Sequence, residues 1–179
     1  MKFRIKDIGA AERREVAELA IDGLPLLMDL TASGGVRFTA PVSVDILLVR
    51  QGVDTVLVTG ALHTRAAMNC SRCLAETTTD IHAQFRILFE PGADEAVPPD
   101  DAAASTEMDM ERACYEADAI DVIPAIQEEV LAALPIRLLC RDDCKGLCPG
   151  CGADLNCGAC GCKAATVDPR LAALKNWKA

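Results

Sequence analysis

Nine of the ten cysteines in this 179-residue chain lie in short-spaced groups, a pattern typical of zinc-binding proteins. Cys70 and Cys73 form a C-x2-C pair in the first half of the chain. The other seven fall within residues 140–162, among glycines and few large apolar residues. Because such a segment cannot fold on apolar burial alone, we expect metal binding to stabilise it.

The spacing divides these cysteines into two sets of four, the number of thiolates that a structural zinc ion takes. The first set is expected to be Cys70, Cys73, Cys140 and Cys144. The second is expected to join a C-P-x-C-G turn, formed by Cys148 and Cys151, to two of the remaining thiols Cys157, Cys160 and Cys162. Four thiolates leave zinc no open position, so we expect two structural zinc ions and no catalytic one.

The other chemistry-bearing residues do not suggest an active site. The sequence contains no phosphate-binding P-loop, no G-x-G-x-x-G and no G-x-S-x-G motif. A redox-active or metal-handling dithiol at Cys70 and Cys73 is an alternative, supported only by the neighbouring Arg72. Cys114 stands apart and is interpreted as an ordinary thiol. We therefore expect a protein that is not an enzyme and has no small-molecule substrate.

The charge balance bears on the choice of partner. The chain carries 27 acidic and 18 basic residues, a formal net charge of −9. Such a balance disfavours phosphate backbones and favours basic partners. Residues 1–20 interleave charged and apolar residues without a signal-peptide core, and no run approaches the roughly 18 apolar residues of a membrane helix. We expect a cytoplasmic protein without membrane contact, in a reducing compartment where clustered cysteines bind metal.

The elements that must position the cysteines are predicted to be β-strands in the first half. Residues 42–49 and 53–62 form two strands joined by a short turn, and residues 81–90 show the clearest alternation of apolar and polar side chains. Residues 2–8 also alternate and could add an edge strand. Residues 12–30 are compatible with a helix or with irregular structure.

An acidic segment and a helix complete the first part of the chain. Residues 91–111 are predicted to form a loop, since they contain prolines and many acids. From 91 to 129 there are twelve acidic residues and one basic residue, which indicates a solvated connection or a docking segment for a basic protein. A helix is predicted over residues 121–134, with Asp121 as its N-cap and Pro135 ending it. Ile126, Val130 and Leu134 recur at four-residue spacing on one face, so Gln127, Glu128 and Glu129 are expected to face water.

These elements predict an α+β fold. It would consist of an antiparallel β-sheet or a partly closed barrel, one main helix and a C-terminal Cys-rich zinc-binding segment. The predicted β domain covers residues 1–135, including the acidic loop 91–111 and the helix 121–134. The predicted Cys-rich segment covers residues 136–179 and would be docked on the β domain through the first zinc site.

A string of short motifs runs through the second half of the chain. A Cys-x-Arg-Cys-Leu turn at 70–74 precedes a strand, an acidic gap and a helix that ends in Leu134-Pro135. The motifs that follow are Leu139-Cys140, Cys144-Lys145-Gly146-Leu147-Cys148-Pro149, Cys151-Gly152, Leu155-Asn156, Cys160-Gly161-Cys162 and Asp168-Pro169-Arg170. Over residues 36–174 this string resembles the YceD family of bacterial proteins, which are required for accumulation of large-subunit ribosomal RNA.

The resemblance implies a cytoplasmic, non-enzymatic factor in accumulation or maturation of 23S ribosomal RNA and in assembly of the large ribosomal subunit. The implied partners are the large-subunit RNA precursor, a basic large-subunit ribosomal protein, or both; an adaptor that binds protein alone is an alternative. In the family, Cys160 and Cys162 are the expected second pair, which leaves Cys157 as an alternative ligand. The candidate contact residues for RNA or a partner are Arg72, Lys145, Lys163, Arg170, Lys175 and Lys178.

Overall fold

A computed structural model describes residues 1–9, 12–92 and 111–162. Within these ranges it contains mostly β-strands, with two α-helices and two short 3-10 turns, so the predicted α+β class is confirmed. The strands are β1 (Lys2–Arg4), β2 (Arg13–Leu19), β3 (Val36–Phe38), β4 (Val42–Gln51), β5 (Thr55–Asn69), β6 (Glu76–Pro91), β7 (Glu111–Tyr115) and β8 (Ala119–Asp121). The helices are α1 (Pro25–Ala32) and α2 (Ile123–Ala132).

The chain divides into two compact units. The first, here called the β unit, consists of Met1–Met68 and Thr78–Ile136. The second, here called the Cys-rich unit, consists of Asn69–Thr77 and of the chain from Arg137 onward, described as far as residue 162. Residues 69–77, which the sequence alone assigns to the β domain, thus cluster with the Cys-rich segment. Docking of that segment on the β domain stays a prediction.

The β unit contains two open sheets. The larger has the strand order β2-β4-β5-β6-β7, with β3 also paired to β5, and the smaller pairs β1 with β8. The pairings of β2 with β4 and of β4 with β5 are antiparallel, but β7 runs parallel to β6. The prediction of a purely antiparallel sheet is therefore wrong at β7. A partly closed barrel is not confirmed, because β2 and β7 stand at opposite ends of the strand order among the described residues.

One face of the large sheet forms the core of the β unit. The alternation predicted for residues 42–49 is confirmed in β4, whose Val42, Val44, Ile46 and Leu48 are all buried. Gly60 of β5 lies opposite Ile46 in the register. A Cβ atom on Gly60 would lie 2.7 Å from Ile46 Cγ2 and 2.7 Å from Phe85 Cζ. This position therefore needs glycine, because the two neighbouring side chains already fill the space.

Helix α2 packs on this core and is shorter than predicted. It runs from Ile123 to Ala132, and its N-cap is Val122, so the prediction of Asp121 as N-cap is wrong by one residue. Asp121 lies one residue earlier, where its Oδ1 accepts a hydrogen bond of 3.1 Å from the N–H of Ile123. Ile126 and Val130 are fully buried. The expectation that Gln127 faces water is wrong: its side chain is buried, and its Oε1 accepts a hydrogen bond of 2.9 Å from the N–H of Leu26. This amide bonds the start of α1 to α2.

The N-terminal region departs most from the sequence-based expectation. Residues 12–30 contain a strand, β2, followed by a second helix, α1, so neither a single helix nor irregular structure is correct. The sequence did not predict strand β2 because polar and apolar residues do not alternate along it. On its solvent-facing side the apolar Val16, 71% exposed, lies next to the charged Arg14, whose Nε donates a 2.8 Å hydrogen bond to Asp45 Oδ1 on β4.

The acidic loop predicted for residues 91–111 lies outside the described residues from 93 to 110. Its two end residues belong to strands, Pro91 to β6 and Glu111 to β7. None of the helices in the described ranges is long and apolar enough to cross a membrane.

Candidate metal centres

The structure brings together the thiols of Cys70, Cys73, Cys140 and Cys144, here called the first cysteine group. The Sγ atoms of Cys70 and Cys144 are 3.8 Å apart, and those of Cys73 and Cys140 are 3.6 Å apart. Four sulfurs bound at about 2.3 Å to a tetrahedral zinc ion lie about 3.8 Å from one another. These separations fit a shared metal ion and exceed by far the roughly 2 Å of a disulfide bond.

A tight turn after β5 presents the first two of these thiols. The N–H of Cys70 donates to Ala75 O at 2.9 Å and the N–H of Leu74 donates to Cys70 O at 3.0 Å. This folding directs the N–H of Arg72 at Cys70 Sγ, 3.4 Å away. Leu74 in this turn has a φ of +61°, a backbone conformation that residues other than glycine seldom adopt. The turn thus places backbone donors around a sulfur that carries charge when it binds metal.

Backbone hydrogen bonds join this turn to the loop that carries the other two thiols. The N–H of Ser71 donates to Leu138 O at 2.8 Å, and the N–H of Leu147 donates to Arg72 O at 3.2 Å. The Arg72 side chain donates from Nη1 to Cys144 O at 2.7 Å. Gly146 allows the close approach, since its φ is +75° and a Cβ atom there would lie 3.0 Å from Arg72 O. The first cysteine group is therefore built by two chain segments that are bonded independently of any metal.

The thiols of Cys148, Cys151, Cys160 and Cys162 form a second cysteine group. Its first two members lie on a short hairpin, in which the N–H of Cys148 donates to Ala153 O at 2.8 Å and the N–H of Gly152 donates to Cys148 O at 2.8 Å. The N–H of Gly150 points at Cys148 Sγ at 3.4 Å. Cys148 is buried, whereas Cys151 and Cys162 are exposed. The second cysteine group is therefore more open to solvent than the first.

The electrostatics of both groups favour a cation. Hydrogen bonding from the Cys73 backbone lowers the pKa of Cys70 to about 6, and the Cys160 thiol together with the Gly150 backbone lowers the pKa of Cys148 to about 6. Neighbouring thiols, Cys144 first among them, raise the pKa of Cys140 to about 12. In the first group, burial raises the pKa of Cys144 but is outweighed by hydrogen bonds from the Asn156 amide and the Gly146 backbone, so this pKa is lowered as well. Some thiolates thus form easily in each group and the others are opposed by like charge, a conflict that a divalent cation at the centre would remove.

Two cysteines lie outside both groups. Cys157 is exposed, and its thiol points at Asp154 Oδ2, 3.8 Å away. The geometry therefore favours Cys160 and Cys162 over Cys157 as the second pair. Cys114 lies half-buried on β7.

The basic residues proposed as partner contacts have different surroundings. Arg72 is exposed but already donates to Cys144 O, and the side chain of Lys145 is exposed. The other four candidates lie outside the described residues: Lys163, Arg170, Lys175 and Lys178.

Asn156 contacts the first cysteine group, which the sequence analysis did not anticipate. Its Nδ2 atom lies 3.4 Å from Cys144 Sγ. An asparagine in a glycine-rich loop ordinarily indicates a turn, so residue type and spacing carried no signal of this contact.

The fold and the two cysteine groups define an α+β protein able to hold two metal ions. The chain belongs to the family described as "Large ribosomal RNA subunit accumulation protein YceD", whose model matches residues 58–178. The resemblance inferred from the motifs is thereby confirmed.

The curated relatives of this chain are uncharacterized mycobacterial proteins. It is 32% identical over 128 residues to one from Mycobacterium bovis and to one from Mycobacterium tuberculosis, a match covering 72% of this chain and 58% of each relative. It is 30% identical over 145 residues to one from Mycobacterium leprae, covering 81% of this chain and 60% of the relative. The chain therefore spans about three fifths of the length of these relatives. No solved structure matches it.

Proposed function

We propose that this chain is a cytoplasmic, non-enzymatic factor for accumulation or maturation of 23S ribosomal RNA and for assembly of the large ribosomal subunit. The observation that carries the proposal is membership of a family described as accumulating this RNA. Two structural zinc ions would hold the Cys-rich unit in the shape that its partner recognises.

The geometry of the cysteines supports zinc in a structural role. Each cysteine group offers four sulfurs that all lie within 4.8 Å of one another. Few cellular metals other than zinc bind thiolate sulfur well. Four thiolates complete the tetrahedral coordination of zinc. A zinc ion in that state has no position for a substrate or a reactive water, so its contribution is to folding.

A test in cells addresses the proposed function directly. Deletion of the gene is expected to lower the ratio of 23S to 16S ribosomal RNA and of large to small subunits in sucrose gradients. The wild-type gene and a Cys114→Ser control should restore both ratios, whereas Cys140→Ser should not. Normal ratios in the deletion strain would refute the proposal.

A second experiment separates RNA from protein as the direct partner. The tagged chain is purified from growing cells with and without nuclease, and bound RNA and ribosomal proteins are identified. Large-subunit RNA precursor that is cross-linked by ultraviolet light to the Cys-rich unit would support contact through Arg72, Lys145 or the basic residues beyond 162. A ribosomal protein retained after nuclease would favour a protein-only adaptor.

The adaptor is a second candidate because one surface of the β unit suits a basic protein. A groove of about 430 Å³ beside β7 and α2 is lined by several carboxylates. They are Glu111, Glu116, Asp121 and Glu128. Burial, together with Glu111 and Glu128, raises the pKa of the nearby Glu129. Arg112 also lines the groove and Asp121 is paired with the Met1 amino group and Lys2, so the acidic excess there comes from Glu111, Glu116 and Glu128. Replacing Glu111 and Glu128 by Gln should weaken retention of a basic ribosomal protein, and unchanged retention would argue against the groove.

A redox or metal-handling role remains the alternative that metal analysis can exclude. Two tightly held zinc ions and thiols that resist alkylation in the native protein would rule it out. Zinc that exchanges readily and thiols that react would favour it over a structural role.

A further inference from the structure

The side chain of Asn156 links the two cysteine groups. Asn156 lies in the chain between Cys151 and Cys160, two members of the second cysteine group, yet its Nδ2 atom is 3.4 Å from Cys144 Sγ of the first. The loop that the second group closes thus supplies a hydrogen-bond donor to a sulfur of the other group.

The orientation of this amide is fixed on both of its sides. Asn156 Oδ1 accepts 2.8 Å hydrogen bonds from Arg141 Nη2 and from the backbone N–H of Lys145. Its Nδ2 also donates to Asp154 Oδ1 at 2.7 Å, and its backbone N–H donates to the same oxygen at 2.9 Å. Two donors on the oxygen side leave only the N–H side to face the sulfur, so the assignment of the amide is determined by its partners.

The position of Asn156 depends on the hairpin of the second cysteine group. Cys148 on that hairpin bonds to Ala153 O at 2.8 Å, and the N–H of Leu155 donates to Gly146 O at 2.9 Å. A metal ion bound by Cys148, Cys151, Cys160 and Cys162 would fix both ends of the loop formed by residues 152–159. Without that metal, Asn156 would be held beside Cys144 only by these backbone bonds and by its amide's bonds to Arg141, Lys145 and Asp154, with the far end of the loop released.

We propose that Asn156 is a positioning residue through which metal bound to the second cysteine group strengthens metal binding by the first. This inference rests on the metal centres of the proposed function. Four thiolates around a divalent cation carry a net negative charge, which an N–H donor to sulfur stabilises. Donors of this kind typically account for about 10–100-fold in metal affinity. Since coupling is reciprocal, metal in the first group strengthens binding in the second by the same factor.

The test measures Zn²⁺ release from the full chain to a chromogenic chelator. The phase that belongs to the first cysteine group is the one lost in Cys140→Ser. Asn156→Ala should speed this phase about 10–100-fold while two Zn²⁺ still bind at saturation. Asn156→Asp keeps the shape and the bonds from Arg141 and Lys145 but cannot donate to sulfur, and its carboxylate would face Asp154 and Cys144 Sγ, so it should release Zn²⁺ at least as fast as Asn156→Ala. Lys145→Ala retains the backbone N–H and is the matched control, expected to release Zn²⁺ at the wild-type rate.

A double-mutant comparison tests the coupling itself. In a Cys151→Ser, Cys162→Ser background the second group cannot hold metal, and the first should release Zn²⁺ about as fast as in Asn156→Ala. Adding Asn156→Ala to that background should then change the rate by less than about 3-fold, because the effects share one cause. A full effect of Asn156→Ala in both contexts, or in neither, would overturn the coupling. Failure to bind Zn²⁺ at all would instead refute the metal centres of the proposed function.

A spectroscopic readout complements the rates. Co²⁺ bound to the first cysteine group should show sulfur-to-metal charge-transfer bands that shift in Asn156→Ala and Asn156→Asp but not in Lys145→Ala. Identical bands in all four proteins would mean that the amide does not act on the ligand sulfur.

Discussion

In the β unit, Ile8, Leu27 and Ile126 are fully buried in a continuous apolar core, whereas in the Cys-rich unit the buried side chains among the described residues are those of cysteines. These cysteines are Cys70, Cys73, Cys144 and Cys148. Among the residues that the structure describes, the partly buried apolar side chains packed beside the first cysteine group are those of Leu139 and Leu147. One unit is therefore stabilised by removal of apolar surface from water, whereas the other has little apolar surface to bury and would be stabilised by the zinc ions of the proposed function.

The difference is also visible in how each unit uses its backbone. Gly60 in the β unit is required because side chains fill the space around it, whereas Gly146 in the Cys-rich unit is required because backbone approaches backbone. Leu74, beside the first cysteine group, even adopts a positive φ with its side chain 63% exposed. With the proposed zinc bound, the ligand bonds would supply free energy that offsets this strain without an apolar core.

The largest effect is expected from Cys140→Ser. Loss of one ligand should abolish tight metal binding by the first cysteine group, where structural zinc contributes about 10–16 kcal/mol in isolated finger peptides. We expect metal content to fall and proteolysis to cut the Cys-rich unit while the β unit stays resistant. Cys114→Ser, which changes a thiol outside both groups, should leave both properties unchanged. If proteolysis of Cys140→Ser cut both units at once, the two units would not be stabilised independently.

Truncation of the apolar core should give the opposite pattern. Ile126→Ala removes a fully buried side chain and is expected to lower the free energy of unfolding of the β unit by about 2–5 kcal/mol. Metal content at saturation should remain that of the wild type. Ile136→Ala, at an exposed residue of the same unit, is the control and should change the thermal midpoint little. Release of metal in Ile126→Ala would mean that the two routes of stabilisation are not separate.

Gly146→Ala should destabilise the Cys-rich unit more than Gly152→Ala does. Both glycines have positive φ, +75° and +73°, so both substitutions carry about 1–2 kcal/mol of backbone strain. Only at Gly146 does the new Cβ meet another atom closely, Arg72 O at 3.0 Å. The rate of Zn²⁺ release from the first cysteine group measures the difference. Equal rates in the two variants would show that the approach of Gly146 to Arg72 is not needed for the site.

The smallest effect is expected at Leu74. Leu74→Gly should slow Zn²⁺ release slightly, corresponding to about 0.5–1 kcal/mol, because glycine adopts positive φ without strain. Leu74→Ala keeps the strain and removes most of the side chain, so it should release Zn²⁺ no more slowly than the wild type. If Leu74→Gly also weakens capture of ribosomal RNA or protein, the exposed leucine serves recognition as well.

Regular alternation made part of the fold predictable. Strands β4 and β6 have one face that packs against the core, so apolar residues recur at every second position and the sequence predicts them. Strand β2 escaped prediction because Arg13 and Glu15 are half-buried on its inner side and Val16 is exposed on the outer side. The pairing with β4 makes these residues extended, and the polarity pattern of β2 alone does not indicate that pairing.

Buried polar residues were the second source of error. Gln127 was expected in water because it lies beside the apolar row of the helix, but it accepts a hydrogen bond from the backbone of Leu26, one hundred and one residues earlier. A partner so distant in the chain cannot be inferred from neighbouring residues. The parallel course of β7 beside β6 was missed for the same reason, since it depends on where a long connection returns to the sheet.

The sequence by itself determined which thiols belong together. Short-spaced cysteines lie on the same turn whatever the rest of the chain does, so the pairs at 70–73, 140–144 and 148–151 follow from local geometry. The spacing left Cys157, Cys160 and Cys162 open, and the preference for Cys160 with Cys162 came from the family resemblance. Only the tertiary structure placed Cys157 beside Asp154 and away from the second cysteine group, and turned Asn156 towards Cys144. Those choices depend on hydrogen bonds between segments far apart in the chain, which spacing cannot record.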